Sequence, residues 1–447
     1  MQPFVSFQIG ALLAGLLILN LAPLVMELLS RTFDPFDAKH IFLGYFFLLF
    51  TFHSFCRVTL GIGTKPALVP PEPSDDLRVA ALSAILIALA AFVAGCYSPL
   101  GRVLGTIAPR FPLMTRWRGH VTAMIGIGMG LLAFYLLMRS AGGFGSFLAG
   151  LGSWRTVGVI GGVGYLTFPI SIILPASCLL LLLQHLSPPP GKVTLRSFAA
   201  LVLYGTSLLP VAVLGFRANL VPAILQLLAA WHYARKAFRL GVLLWFGICL
   251  ITVLSILGVI REAAAGEGQT EETFVTSLIF RVPGLDTVER VLWQMERGEP
   301  ARGVTPGAIE AATILLPRAL WPGKPEPASL AFADTFFYDF FLQRGDPIDG
   351  VKSGVSPTLV GELLWVGRLP MVLVGSFGLG TLCSVMTIWR RRAPQHTMHI
   401  MGYALFMSWF AIFVEAPQNN LNTFAMVTFF FVVLAGVLTL RLRWGRA

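Results

Sequence analysis

Apolar runs of about 20 residues recur along this 447-residue chain and limit what it can fold into. They lie at about 4–29, 40–60, 79–98, 121–138, 156–184, 196–215, 218–234, 241–260, 369–389, 398–414 and 420–440. Each can cross a hydrocarbon core of ~30 Å as a helix, and within lipid a spanning segment must satisfy its own backbone. With 56% hydrophobic residues, 12% charged residues and a mean hydropathy of +0.76, the chain lies outside the soluble range. The expected fold is an all-α polytopic membrane protein with about 11 transmembrane helices. Pro169 and Pro175 predict a kink or break in the overlong fifth span. No Lys or Arg precedes the first apolar run, so that helix is expected to stay rather than be cleaved.

One long segment, 261–355, is neither apolar nor short. It divides the chain into a transmembrane bundle (1–260), this large loop, and C-terminal spans (356–447). The segment holds 14 of the 22 acidic residues and 9 of the 33 basic ones, whereas the rest carries 24 basic against 8 acidic residues. That split implies two different aqueous faces. The basic excess sits in short loops beside apolar runs, where it marks the cytoplasmic side rather than nucleic-acid binding. Placing Arg102–Arg118, Arg235–Arg239, Arg390–Arg392 and Arg441–Arg446 in the cytoplasm puts the 261–355 loop outside. All five cysteines fall in or beside apolar runs, which excludes a disulfide framework for the loop and gives no cysteine-based metal site.

The loop itself carries helical signals. Asp286 with Glu289 reads as a capping box, and Val288, Val291, Leu292 and Met295 then repeat at helical spacing as far as Gly298. A second helix is expected near 306–316. A third, near 328–343, is rich in Phe, and is read either as an interfacial helix against lipid or a lipid-like ligand, or as packing of the loop onto the bundle.

No Walker motif, no Gly-rich nucleotide fingerprint and no paired histidines at metal spacing occur, so neither a nucleotide nor an obligatory metal or other cofactor is expected. Asp75-Asp76 and the pair Asp346 and Asp349 read as solvated turns. What remains is a set of cations on the outer face. Arg217 opens a helix after a tight hairpin, where the helix dipole also favours anions. Arg281 precedes the amphipathic loop helix, and Arg318 and Lys324 flank a Trp321-Pro322-Gly323 turn. Arg155 is a weaker candidate at the mouth of the fifth span. One such Arg alone would read as an interface anchor, but several outward-facing cations beside a bilayer suit a lipid-linked phosphate or diphosphate.

One carboxylate stands out. Ser356-Pro357 starts a helix, and Glu362 follows on its second turn, just before the ninth span. An acid entering an apolar helix is a candidate functional group and, if buried, a candidate general base. The competing reading is an ion pair with Arg368. Glu415, at the outer end of the tenth span, is a second and weaker carboxylate.

Three stretches together resemble the O-antigen polymerase (Wzy-type) family of bacterial repeat-unit polymerases: Gly215-Phe216-Arg217, Pro317-Arg318 through Lys324-Pro325, and Ser356-Pro357 through Glu362. The order of short loops, one long outer loop and closing spans also fits. The resemblance implies an inner-membrane, metal-independent glycosyltransferase with a periplasmic loop. It would move a growing glycan from undecaprenyl diphosphate onto a sugar hydroxyl of another undecaprenyl-diphosphate-linked oligosaccharide. Arg217, Arg281, Arg318 and Lys324 would hold the diphosphate and Glu362 would take the hydroxyl proton. A chain-length regulator and a flippase would be its pathway partners, and the product would be O-antigen, capsule or exopolysaccharide. The related ligases typically carry a functional His in the long loop, and this loop has none, so polymerase outranks ligase. A transporter or flippase of the same lipid-linked glycan is the other alternative. Transporters are often built from repeated halves, and none is visible here.

Overall fold

Every regular element among the described residues is helical. The computed structural model describes residues 3–61, 70, 74–109, 115–149, 166–186, 194–213, 217–235, 237–239, 241–242, 247, 252, 284–313, 321, 330–336, 357–394, 396–415 and 417–444. Eight helices among these are long and apolar enough to span a membrane: Phe7–Leu29, Ala38–Leu60, Asp75–Tyr97, Arg116–Ser140, Pro169–Leu186, Leu195–Ala212, Leu359–Arg391 and Thr397–Val414. Leu220–Ala234 and Asn420–Leu434 are shorter apolar helices. The chain is thus a multi-pass α-helical membrane protein. Most of the expected span at 241–260 lies outside the described residues.

The helices form two compact units. The first comprises Met1–Ala108, Leu244–Ile388 and Phe410–Leu421. Its core is aromatic: Phe42 stacks on Phe92 with ring centres 3.8 Å apart, and Phe410 leans on Phe42 at 5.4 Å. Two glycines let the Asp75–Tyr97 and Leu359–Arg391 helices touch backbone to backbone. A side chain at Gly95 would collide with the Phe377 carbonyl, and one at Gly380 with the Phe92 carbonyl. The Ala38–Leu60 span is not uniform. Its middle, Phe47–Phe52, is a π-helical turn, which widens the backbone where another element enters.

That element is the Gly284–Glu296 helix. The expected loop helix exists, and Gly298 ends it with φ +99. It is packed into the protein along most of its length, however. Leu285, Asp286, Thr287, Val288, Glu289, Arg290 and Val291 are all buried. Gly284 presses so closely on the Leu49 carbonyl in the π turn that no side chain would fit there. The expected second loop helix is Thr305–Ala312. Of the third, residues 330–336 are described and helical. Phe332 and Phe336 are fully buried and pack edge-on against Trp365, with centres 5.4 and 5.5 Å away. For these two rings the packing alternative holds.

The second unit comprises Pro109–Leu243, Trp389–Trp409 and Asn422–Ala447. Its Arg116–Ser140 helix packs on the π turn Pro169–Ile173 and the helix Leu174–Leu186 that follows, so the expected irregularity at Pro169 is present. Arg390, read from the sequence as a cytoplasmic charge, is buried here. Its guanidinium lies 3.9 Å from the Tyr233 ring centre and 5.3 Å from that of Tyr403.

Candidate functional site: a buried carboxylate centre

Leu359–Arg391 is two helices in sequence. Gly367 (φ −160, ψ 28) and Arg368 (φ 57, ψ −156) break it, and Pro370 suits the start of the second piece. Glu362 therefore sits on a short helix, 359–366, set apart from the following span. Thr358 starts this helix: its hydroxyl accepts from the Gly361 amide at 3.3 Å. Arg302 and Gly303 finish it, donating their amides to the Trp365 and Val366 carbonyls at 2.8 and 3.1 Å.

The Glu362 side chain is 6% exposed. Its carboxylate accepts from the backbone amide of Gln418, in the first turn of the Pro417–Trp444 helix, a position that favours negative charge. Its Oε2 has no hydrogen-bond partner. Arg302 is the cation acting on it, and Glu310 the neighbouring acid. Arg302 Nη2 is 3.9 Å from Glu310 Oε2, and its guanidinium lies 4.8 Å from the Trp365 ring centre. Glu415 joins the same turn: its carbonyl accepts from the Thr358 amide at 2.9 Å and its Oε2 from the Tyr45 hydroxyl at 2.9 Å. The centre thus draws on four separated stretches of one unit, at 45, 302–310, 358–365 and 415–418.

The Glu362–Arg368 ion pair, the competing reading of Glu362, is not formed. Arg368 is exposed, sits in the helix break, and lines a cavity of about 370 Å³ with Ser83, Leu292, Glu296 and Leu364. The segments that carry the two carboxylates singled out in the sequence meet at Thr358 through backbone hydrogen bonds, and the Glu415 carboxylate itself is held by Tyr45. Of the cations, Arg217 is the first residue of the Arg217–Ala234 helix, as its hairpin position implies, but its side chain lies outside the described residues. Arg155, Arg281, Arg318 and Lys324 also lie outside them. Arg302 and Glu310 were missed. Glu310 did carry a signal, being the single charge between Gly303 and Pro317.

A second charged cluster surrounds the Gly284–Glu296 helix. Arg57, from the end of the Ala38–Leu60 span, contacts Asp286 through Nη1 and Glu289 Oε2 through Nη2, the latter at 2.8 Å. Arg78 Nε lies 3.5 Å from Glu289 Oε1, and Arg78 Nη1 3.3 Å from Asp75. His53 Nε2 is 3.7 Å from Asp286 Oδ2. Asp286 and Glu289 are therefore not the capping box expected of them, because their carboxylates meet cations from two spans. Asp75, expected in a solvated turn, begins a helix capped by Ser74, whose hydroxyl accepts from Leu77 at 3.1 Å. Burial raises the Glu289 carboxyl above its ordinary value, opposed by Arg57 and Arg78. Among the described residues, no three of His, Cys, Asp and Glu converge to hold a metal ion.

These features define a multi-pass helical membrane protein with a buried carboxylate centre in one of its two units. Searches against protein-family models, curated proteins and solved structures found no match for this chain.

Proposed function

We propose that the protein is a bacterial inner-membrane glycosyltransferase that polymerises undecaprenyl-diphosphate-linked oligosaccharide repeat units on the periplasmic face. The reading rests on the resemblance to the O-antigen polymerases and, above all, on Glu362. A buried carboxylate with one interaction fixed by a helix-terminal amide and one oxygen without a partner suits a general base. In the reaction, the acceptor hydroxyl oxygen attacks the anomeric carbon of the donor glycan and its proton passes to Glu362. The bond from that carbon to the diphosphate oxygen breaks, and undecaprenyl diphosphate leaves with the electron pair. Arg217, Arg281, Arg318 and Lys324 hold the diphosphate and stabilise its growing charge.

The test uses purified protein in lipid with undecaprenyl-linked repeat units. General-base catalysis contributes roughly 10²–10⁴-fold, so Glu362→Gln is expected to slow polymer formation by that order with its melting temperature kept. Arg217→Ala and Arg318→Ala are expected to abolish long-chain product. Normal turnover in Glu362→Gln removes the base assignment. A transporter of the same lipid-linked glycan is the second reading, favoured by the helix break at Gly367–Arg368, since discontinuous helices line transporter sites. Polymer made by the purified protein alone decides against it.

A further inference from the structure

We infer that Arg57 and Arg78 are positioning residues: they latch the Gly284–Glu296 helix into the first unit, and through it they hold the short helix that carries Glu362. An amphipathic helix lying on a membrane surface sends its acids to water and only its apolar stripe inward. This one does not. Asp286 and Glu289, one turn apart, are as buried as Leu285, Val288 and Val291. Both face Arg57, and Glu289 also faces Arg78 from a different span. The two buried carboxylates thus meet two guanidinium groups, one of which, Arg78, is shared with Asp75. Ionic groups so buried hold only in pairs, because a lone charge left behind is costly, so the contacts fix one docked position for the helix.

From that position the helix reaches the Glu362 element by two routes. Directly, Thr287 and Val291 border Gly361, where an added methyl would lie 3.4 and 3.7 Å from their Cγ2 atoms. Indirectly, Arg290 Nε donates to the Phe336 carbonyl at 2.9 Å, and Phe336 packs on Trp365, three residues beyond Glu362. Undocking the helix withdraws both supports. The latch stands independently of chemistry, whereas its effect on turnover rests on the proposed role of Glu362.

The experiment introduces Val288→Cys, at a fully buried position, into a cysteine-free full-length protein in proteoliposomes. Labelling by N-ethylmaleimide is compared with Arg57 intact, in Arg57→Ala, in Arg57→Lys and in the isosteric Asp286→Asn. The last serves should Arg57→Ala fail to accumulate. Arg57→Ala and Asp286→Asn are expected to label at least about tenfold faster, and Arg57→Lys to restore part of the protection, as a point charge replaces a fork. In the polymerisation assay, Arg57→Ala is expected to lower kcat by about tenfold or more while the KM for the lipid-linked unit holds. Unchanged labelling in both variants overturns the latch, whatever the activity. Faster labelling with unchanged kcat overturns the positioning role. If Glu362→Gln proves fully active, the labelling still decides the latch alone.

Discussion

The Thr358 amide donates to the Glu415 carbonyl at 2.9 Å while the Thr358 carbonyl accepts from the Glu362 amide at 2.9 Å, so one residue ties the two carboxylate-bearing segments together. Thr358 does this at φ +57, a conformation unfavourable for a β-branched residue. Its hydroxyl also caps the short helix. The constraint concentrates in the turn that sets Glu362.

Thr358→Ala should therefore lose the cap and keep most of the strain, for a cost of about 1 kcal/mol. Thr358→Gly also loses the cap but adopts the same φ freely, and should cost only a few tenths. Equal losses, measured by denaturant or thermal unfolding in detergent, would show that backbone conformation at 358 contributes nothing.

Arg302 and Arg368 should behave as opposites. Arg302→Ala removes the cation beside Glu362 and Glu310 and the contact with the Trp365 ring, and should destabilise the protein by about 2 kcal/mol. Arg368→Ala removes an exposed side chain and should change stability by less than about 0.5 kcal/mol. Arg368→Gly should be more stable than Arg368→Ala by about 1 kcal/mol, because φ +57 with ψ −156 suits glycine alone. A larger loss in Arg368→Ala than in Arg302→Ala would favour the competing reading, with Arg368 as the partner of Glu362.

The pH dependence of stability should carry a Glu289 signature. Burial, its largest influence, with Asp286 adding, holds its folded-state value above the ordinary 4.5, against Arg57 and Arg78. An acid raised in this way contributes stability that is complete below pH 4.5 and is lost as pH rises through the folded-state value. The melting temperature should fall across that window, and Glu289→Gln, which never ionises, should flatten the fall. An unaltered slope in Glu289→Gln would assign it to another group.

Orientation is open to a direct test. Single cysteines at Gly266 and Gly345 in a cysteine-free protein should react with an impermeant thiol reagent from the periplasmic side, and one at Ala393 should not. Labelling at Ala393 from outside would reverse the topology and move the proposed site to the cytoplasm.

Period and composition made eight of the expected spans legible, since each must bury a 20-residue apolar stretch whatever its neighbours do. The loop helix was legible too, from Val288, Val291 and Met295 to the stop at Gly298. Its depth was not. Asp286 and Glu289 resemble any solvated helix start until Arg57 and Arg78 are brought to them, and no local pattern spans more than 200 residues. Glu362 and Glu415 were visible as isolated acids at span ends, whereas their common attachment to Thr358 is purely tertiary. The same holds for Arg302, an unremarkable loop cation in the sequence that sits on Trp365 in the fold. The competing reading, an ion pair of Glu362 with Arg368, depends on helical spacing across Gly367, where the helix breaks.

The distance along the chain between Arg78 and Asp286 has a consequence for biogenesis. Those positions are 208 residues apart. At synthesis rates of 5–20 residues per second, the ribosome needs roughly 10–40 s to supply the acids once Arg78 has emerged. Throughout that interval the early spans must reside in the translocon or membrane with two guanidinium groups awaiting their counter-ions. Nascent chains truncated before residue 284 should accordingly be poor at leaving the insertion machinery and good substrates for membrane quality-control proteases, and release should come abruptly once Glu289 has been made.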